Sequence, residues 1–128
     1  AQNKRDIART LIGLGIAHGD LGDASSKLRL VARGLSIQEQ LLRPDNPEIA
    51  ETLCNLGNAH GALGDFPRMR ECMERAACIL ERVLGPNHPS VATCLVNLGL
   101  AFGHLGIDSK KRELLERSRR IFELRFGQ

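Results

Sequence analysis

The chain has 128 residues, of which 42% are hydrophobic and 26% are charged, and its net charge is +3. This length suits one domain, and the balance of apolar and charged residues excludes an intrinsically disordered chain. No run of residues approaches the roughly 20 apolar positions of a membrane span, so we expect no membrane association. The first six residues are polar and lack the apolar segment of a secretory signal, so we expect a cytoplasmic protein.

One block of residues occurs three times at a fixed spacing of 42 positions. The aligned sets are Ile7, Ile49 and Val91; Leu14, Leu56 and Leu98; Gly15, Gly57 and Gly99; Ala17, Ala59 and Ala101; Gly19, Gly61 and Gly103; Leu21, Leu63 and Leu105; and Gly22, Gly64 and Gly106. A repeat of this length is one supersecondary unit that cannot bury its apolar face alone. The sequence therefore predicts stacked units, as in a solenoid.

Each repeat contains two predicted helices. In the second repeat Ile49, Leu53 and Leu56 follow one another at steps of three and four, which places them on one helix face. The segment Leu-Gly-Asp at 63–65 predicts a turn, and Gly-Pro-Asn-His-Pro at 85–89 ends the second helix and starts the next. The predicted helices span residues 5–21, 24–42, 47–63, 66–84, 89–105 and 109–126.

The second repeat resembles the tetratricopeptide signature, which is W-x-x-L-G-x-x-Y followed by G-x-Y, A, F and A. The matching residues are Leu53, Leu56, Gly57, His60, Gly64, Asp65, Phe66, Met69, Met73 and Ala76. Most such units have about 34 residues, whereas this longer unit, with its segments 81–92 and 97–99, is similar to the kinesin-light-chain class. The resemblance implies an all-α, right-handed solenoid. It predicts one domain over 1–128, with repeats at about 4–45, 46–87 and 88–128, and a fragment of a longer array.

The first and third repeats depart from this signature. Ala24 and Gly34 stand where the second repeat has Phe66 and Ala76, and the third repeat departs at the same two positions. A glycine inside a helix costs about 1 kcal/mol relative to alanine. We therefore expect the second repeat to be the best packed.

The sequence contains no pattern of catalytic or metal-binding residues. The four cysteines have no CxxC spacing and do not recur at equivalent repeat positions, so they are interpreted as small apolar side chains in a reducing compartment. His18 and His60 occupy equivalent positions, where we expect half-buried side chains rather than ligands or bases. No glycine-rich loop follows a strand, because no strand is predicted. We predict that the protein is not an enzyme and binds no cofactor and no metal.

The resemblance implies that the first helix of each repeat lines a concave groove that binds a partner protein or peptide, while the second helices, with Arg70 and Glu74, form the convex back. Asn55 and Asn97 lie one repeat apart, and an amide can pair with the backbone of an extended peptide. The alternative is that these amides only face water. The predicted groove residues are Arg9, Ile12, Ile16, Glu51, Asn55, Asn58, Thr93, Asn97, Leu100 and His104.

The recurring glycines at 19, 61 and 103 have two interpretations. They either deepen the groove or let neighbouring first helices approach closely, and we favour the packing interpretation. The apolar residues among the groove positions predict a ligand that presents hydrophobic side chains at intervals.

Two further functions compete with peptide binding. The chain could self-associate by stacking its uncapped terminal helices, with Ile121 and Phe126 on the open face. It could also bind nucleic acid, because residues 105–128 hold seven Lys and Arg against four Asp and Glu. The nucleic-acid function is the weaker one, since the chain has no Trp and no Tyr to stack on bases.

Overall fold

The computed structural model describes residues 2–127, with side chains from residue 3 onward, and this part of the chain forms six α-helices. The helices are α1 (Gln2–Asp20), α2 (Ala24–Leu41), α3 (Pro47–Ala62), α4 (Phe66–Leu84), α5 (Pro89–His104) and α6 (Asp108–Phe126). All six predicted helices are confirmed within about one residue, except that α1 begins earlier than expected. Over the same residues, no helix combines the length and the apolar character that crossing a membrane requires.

A glycine in the left-handed region ends the first helix of each repeat. Gly64 has a φ of +81° after α3, and the backbone N–H of Asp65 donates to the carbonyl of His60 over 2.8 Å. The Asp65 carboxylate then accepts the N–H of Arg68, which caps the start of α4. The third repeat has Ile107 at the capping position and no side-chain hydrogen bond there.

The helices pack as an α-solenoid of three helix pairs. Within each pair the two helices lie side by side, and α3 also contacts α1 and α5. Within residues 2–127, no backbone contact joins α2 to α4 or α4 to α6. The first helices of the repeats are therefore close together and form the concave face, while the second helices are spread apart on the convex face.

Equivalent residues of the second and third repeats are buried to the same extent, whereas those of the first repeat are more exposed. Ile49 on α3 and Val91 on α5 are both 0% exposed, whereas the equivalent Ile7 on α1 is 51% exposed. The difference arises because α2 covers α3 and α4 covers α5, while no helix of the described chain covers this side of α1. Seven residues later, Leu14 on α1 is likewise more exposed than the equivalent Leu56 and Leu98.

Gly34 on α2 is a packing adaptation rather than a weak point of the first repeat. A Cβ atom at Gly34 would lie 2.5 Å from Cγ1 of Ile12, which fills the space in front of it. In the second repeat Ala76 occupies the equivalent position and is fully buried, and the smaller Cys54 replaces isoleucine. The two positions compensate each other in volume, as close packing requires.

The recurring glycines of the first helices face the second helix of their own repeat. A Cβ atom at Gly61 would lie 2.6 Å from Sδ of Met69. The equivalent contacts join Gly19 to Lys27 and Gly103 to Lys111. These glycines therefore serve close helix packing, as we favoured. The expected partner was wrong, because they let the second helix of the same repeat approach and not a neighbouring first helix.

Candidate functional site: a groove along the first helices

Two open cavities follow one another along the concave face. The first lies between repeats one and two and has a volume of about 210 Å³, and the second lies between repeats two and three and has about 450 Å³. Glu51 and Asn55 on α3 line both, so the two cavities adjoin. Of the predicted groove residues, Arg9, Ile12, Ile16, Glu51 and Asn55 line the first cavity, and Glu51, Asn55, Asn58, Thr93 and Asn97 line the second.

The first cavity combines an apolar lining with a polar rim. Ile12 and Ile16 face it from α1, and Leu41 and Leu42 reach it from the end of α2. An ion pair of 3.2 Å between Arg5 and Glu48 closes its edge. The residues from α2 were missed by the sequence analysis, which assigned only first helices to the groove, because the inward course of the α2 end depends on the packing of the repeats.

Gln38 supplies an unused hydrogen-bond acceptor at this cavity. Its side chain lies on α2 and lines the cavity beside Thr52. The Oε1 atom is buried and has no hydrogen-bond partner among the described residues. A buried acceptor without a partner carries an energetic cost for the folded chain.

Asn55 and Asn97, two of the three asparagines that line the groove, differ in their hydrogen bonds. The Nδ2 group of Asn55 donates to the carbonyl of Glu51 over 3.2 Å, which leaves its Oδ1 atom free to accept. Thr93 also uses its hydroxyl on its own helix, donating to the carbonyl of Pro89 over 3.2 Å. The described structure shows no hydrogen bond for the amide of Asn97, so both of its polar atoms remain open to a ligand.

Two of the predicted groove residues lie apart from these cavities. His104 at the end of α5 stacks on the ring of Phe66, with the centroids 4.0 Å apart and an interplanar angle of 2°. Leu100 is 41% exposed on α5 and lines neither of the two cavities. The ring of His104 thus packs on α4. A role of His104 and Leu100 in the groove stays a prediction.

Arg70 on α4 belongs to the contact between repeats two and three. Its guanidinium carbon lies 4.6 Å from the ring centroid of Phe102 on α5, and its Nε donates to Glu74 over 3.0 Å. A cation over an aromatic face contributes to stability. Arg70 lies on the second helix of its repeat, as expected, but its side chain also contacts the next repeat.

The basic residues of α6 are partly used in ion pairs. Arg117 pairs with Glu81 over 2.8 Å, and Lys110 with Glu113 over 3.5 Å. A positive surface that binds phosphates presents cations that are free to contact them.

Within residues 2–127 no three His, Cys, Asp and Glu side chains meet in a group that could hold a metal ion.

Solved structures support the same architecture. The chain is similar to BtubC (BKLC) from P. vanneervenii, with a TM-score of 0.85 and 21% identity over 94% of this chain and 48% of that one. It is also similar to the nearly identical TPR-like repeats assigned to a kinesin light chain of Podosopora anserina, with a TM-score of 0.78 and 24% identity over 94% of this chain and 57% of that one. The chain thus spans about half the length of these structures.

Sequence comparison identifies the family. No curated protein sequence matches the chain. Residues 48–124 match the family model of the tetratricopeptide repeat, which is more than half of the chain. Repeats of this kind generally mediate protein–protein interaction. With its three helix pairs and its kinesin-light-chain-like repeat, the chain belongs to the tetratricopeptide repeat family.

Proposed function

We propose that the chain is a non-enzymatic, cytoplasmic scaffold that binds a segment of a partner protein along its concave groove. The observation that carries this proposal is the pair of adjoining cavities, which share Glu51 and Asn55 and continue across all three repeats. A groove of this form fits an extended chain rather than a compact small molecule. Membership of an interaction family supports the same conclusion.

The lining of the groove indicates the chemistry of the ligand. Oδ1 of Asn55 and the open amide of Asn97 can accept and donate hydrogen bonds to the backbone of a peptide. Ile12 and Ile16 provide an apolar surface for one hydrophobic side chain. The proposed ligand is therefore an extended peptide that places an apolar side chain between repeats one and two.

The test is a titration with a peptide chosen for its binding to the wild-type chain from an array of overlapping peptides. Removing a hydrogen bond and stranding its partner weakens binding, so the double variant Asn55→Ala and Asn97→Ala should bind about 10- to 100-fold more weakly while folding normally. The matched control is Gln40→Ala with Arg82→Ala. These two exposed residues also lie one repeat apart, but on second helices, and should leave affinity unchanged.

Two results would overturn the groove proposal. One is an array from which the wild-type chain selects no peptide. The other is a control variant that loses affinity while the asparagine variant retains it. Arg70 and Glu74 are unsuitable as controls, because their ion pair lies against the third repeat.

Self-association is the second candidate function, and a repeated ion pair favours it. Glu39 on α2 pairs with Arg75 on α4 over 2.9 Å, and Glu81 on α4 pairs with Arg117 on α6 over 2.8 Å. The two pairs occupy equivalent positions, 42 residues apart. Each one connects the second helices of successive repeats.

The end members of this series are complementary. Arg33 on α2 corresponds to Arg75, and Glu123 on α6 corresponds to Glu81, so one end of the array has a cation and the other an anion that would complete the next pair of the series. Glu123 pairs within its own helix with Arg119. If a second copy stacked on α6 in the repeat register, its Arg33 would meet Glu123, and its exposed Ile7 would be covered.

Charge reversal tests this stacking. Arg33→Glu and Glu123→Arg should each reduce self-association in sedimentation velocity experiments, because each places like charges opposite one another at the contact. Mixing the two single variants should restore association, since opposite charges then face each other again. A wild-type chain that stays monomeric at high concentration would dismiss this candidate function without affecting the groove proposal.

A further inference from the structure

Two of the four cysteines meet across the contact between repeats two and three. Sγ of Cys54 on α3 lies 3.2 Å from Sγ of Cys94 on α5, although the residues are 40 positions apart in sequence. Both are free thiols. A disulfide bond has a length of about 2.05 Å, so the two sulfur atoms need to approach by only about 1 Å to form one.

The repeat sequence does not create this pair by symmetry. The position equivalent to Cys54 in the third repeat is Val96, and the position equivalent to Cys94 in the second repeat is Thr52. Two different repeat positions, each a cysteine in only one repeat, are thus placed face to face by the contact between α3 and α5. The remaining cysteines, Cys72 and Cys78, both lie on α4.

The two thiols differ in access and in acidity. Both line the second cavity of the groove, but Cys94 is only 1% exposed while Cys54 is partly exposed. The hydrogen bond between them lowers the pKa of Cys54 and raises that of Cys94, whose pKa burial raises further. Because the thiolate is the nucleophilic form, Cys54 is the thiol suited to react first and Cys94 the one suited to resolve the product.

We propose that Cys54 and Cys94 are a redox-active pair, which hydrogen peroxide converts into a disulfide that links α3 to α5 at the groove. This site goes beyond peptide binding and does not depend on the identity of a ligand. Its position next to Asn55 and Asn97 means that oxidation would fix the spacing of the two helices that carry these amides.

The reaction has two steps. The Cys54 thiolate attacks one oxygen of hydrogen peroxide, the O–O bond breaks, and the released hydroxide takes a proton to become water, leaving Cys54 as a sulfenic acid. The sulfur of Cys94 then attacks the sulfur of Cys54, the S–O bond breaks, and the leaving hydroxide takes the Cys94 proton as a second water. The two cysteines lose two electrons in total, and peroxide is reduced to two molecules of water.

The other cysteines are poorer candidates for the same chemistry. Burial raises the pKa of Cys72 to about 11, so little of it is thiolate at neutral pH. Cys78 is exposed on α4, where its oxidation would join two molecules rather than two helices of one chain. The structure shows no sulfur contact for either of them that matches the distance between Cys54 and Cys94.

Peptide mapping of the whole chain tests the proposal. The protein is treated with hydrogen peroxide, its remaining thiols are blocked with N-ethylmaleimide, and the digest is analysed by mass spectrometry. The expected product is a peptide pair joined through Cys54 and Cys94, two hydrogens lighter than the separate peptides and released by dithiothreitol. The melting temperature of this product should rise on the order of 10 °C, because the bond closes a loop of 40 residues.

Two variants sharpen the result. Cys94→Ser removes the resolving thiol but keeps a hydroxyl that can donate a hydrogen bond to the sulfur of Cys54, so the sulfenic acid at Cys54 should persist and react with dimedone. The double variant Cys72→Ser and Cys78→Ser is the matched control and should form the linked peptide as completely as the wild type. Blocked thiols at Cys54 and Cys94 after peroxide treatment, a disulfide through Cys72 or Cys78 instead, or a linked product with a lower melting temperature would each overturn the proposal.

Discussion

His60 near the end of α3 faces Asp65 at the start of α4, with 3.9 Å between its Nδ1 atom and the Oδ2 atom of the carboxylate. The imidazole is only 12% exposed, and burial lowers its pKa, which the nearby carboxylate offsets in part. The folded state therefore binds a proton at His60 less readily than the unfolded state does. Protonation of His60 therefore leaves the free energy of unfolding unchanged above the unfolded pKa of about 6.5. It lowers this free energy as the pH decreases from there towards the folded pKa.

The first prediction concerns this histidine. The melting temperature of the wild type should decrease between about pH 7.5 and about pH 5.5, and His60→Gln should show a smaller decrease, because it removes the group that must be protonated on unfolding. His18→Gln changes the equivalent, more exposed residue of the first repeat and is the matched control. An unaltered pH slope in His60→Gln would show that another group is responsible.

The second prediction concerns the core of the middle repeat. Leu56 is 9% exposed between neighbouring helices, so Leu56→Ala should lower the free energy of unfolding by about 2–5 kcal/mol through the cavity that it leaves. Leu124 is 72% exposed, so Leu124→Ala should change it by only about 0.5 kcal/mol or less. Urea denaturation measures both. Equal losses in the two variants would contradict the burial of Leu56 in the core.

The third prediction concerns the missing cap of α6. Asp23 and Asp65 cap the second helices of the first two repeats, whereas Ile107 stands at this position in the third repeat and is 40% exposed. Ile107→Asp should therefore stabilise the chain by about 1 kcal/mol, because its carboxylate can accept an N–H of the first turn of α6.

Ile107→Ala is the control for this variant, since it removes the isoleucine side chain without adding an acceptor. Thermal unfolding followed by circular dichroism compares the two variants. If the aspartate and alanine variants melt at the same temperature, the capping hydrogen bond does not form.

The fourth prediction concerns the apolar surface of α6. Leu124 and Phe126 are 72% and 71% exposed, so serine at both positions should reduce stacking of copies without loss of helicity. Ile121, which the sequence placed on this open face, is 2% exposed and belongs to the core, so its replacement would report on folding instead. Sedimentation equilibrium provides the measurement. A wild-type oligomer that the serine variant leaves intact would indicate a different contact.

The helices and their register could be predicted because local residues determine them. Gly64 and its equivalents end the first helices, and Pro47 and Pro89 begin the next ones, so residues that end or start a helix recur at the spacing of the repeat. The same register places eight of the ten predicted groove residues along the two cavities, and their role in binding stays a prediction. His88 was also recognised as part of a turn, and its Nδ1 atom accepts the N–H of Ser90 as a helix cap.

The rest depends on how one repeat lies against the next. The contact between Cys54 and Cys94 joins two unrelated repeat positions, so no spacing rule reveals it. The inward position of Gln38 likewise requires the packed structure. The repeated ion pairs are different, because glutamate and arginine do recur at the spacing of the repeat. The sequence alone does not reveal that these side chains meet, because the contact depends on how the second helices of successive repeats lie next to each other.

The two sides of the array are joined by different forces. On the convex side, in the part of the chain that the structure describes, the second helices have no backbone contact with one another, and Glu39–Arg75 and Glu81–Arg117 connect them. These pairs are partly exposed to solvent, so dissolved ions weaken them, while the apolar packing of the first helices is not screened. Raising the ionic strength should therefore weaken these two contacts on the convex side without separating or unfolding the repeats, because α2 still packs on α3 and α4 on α5.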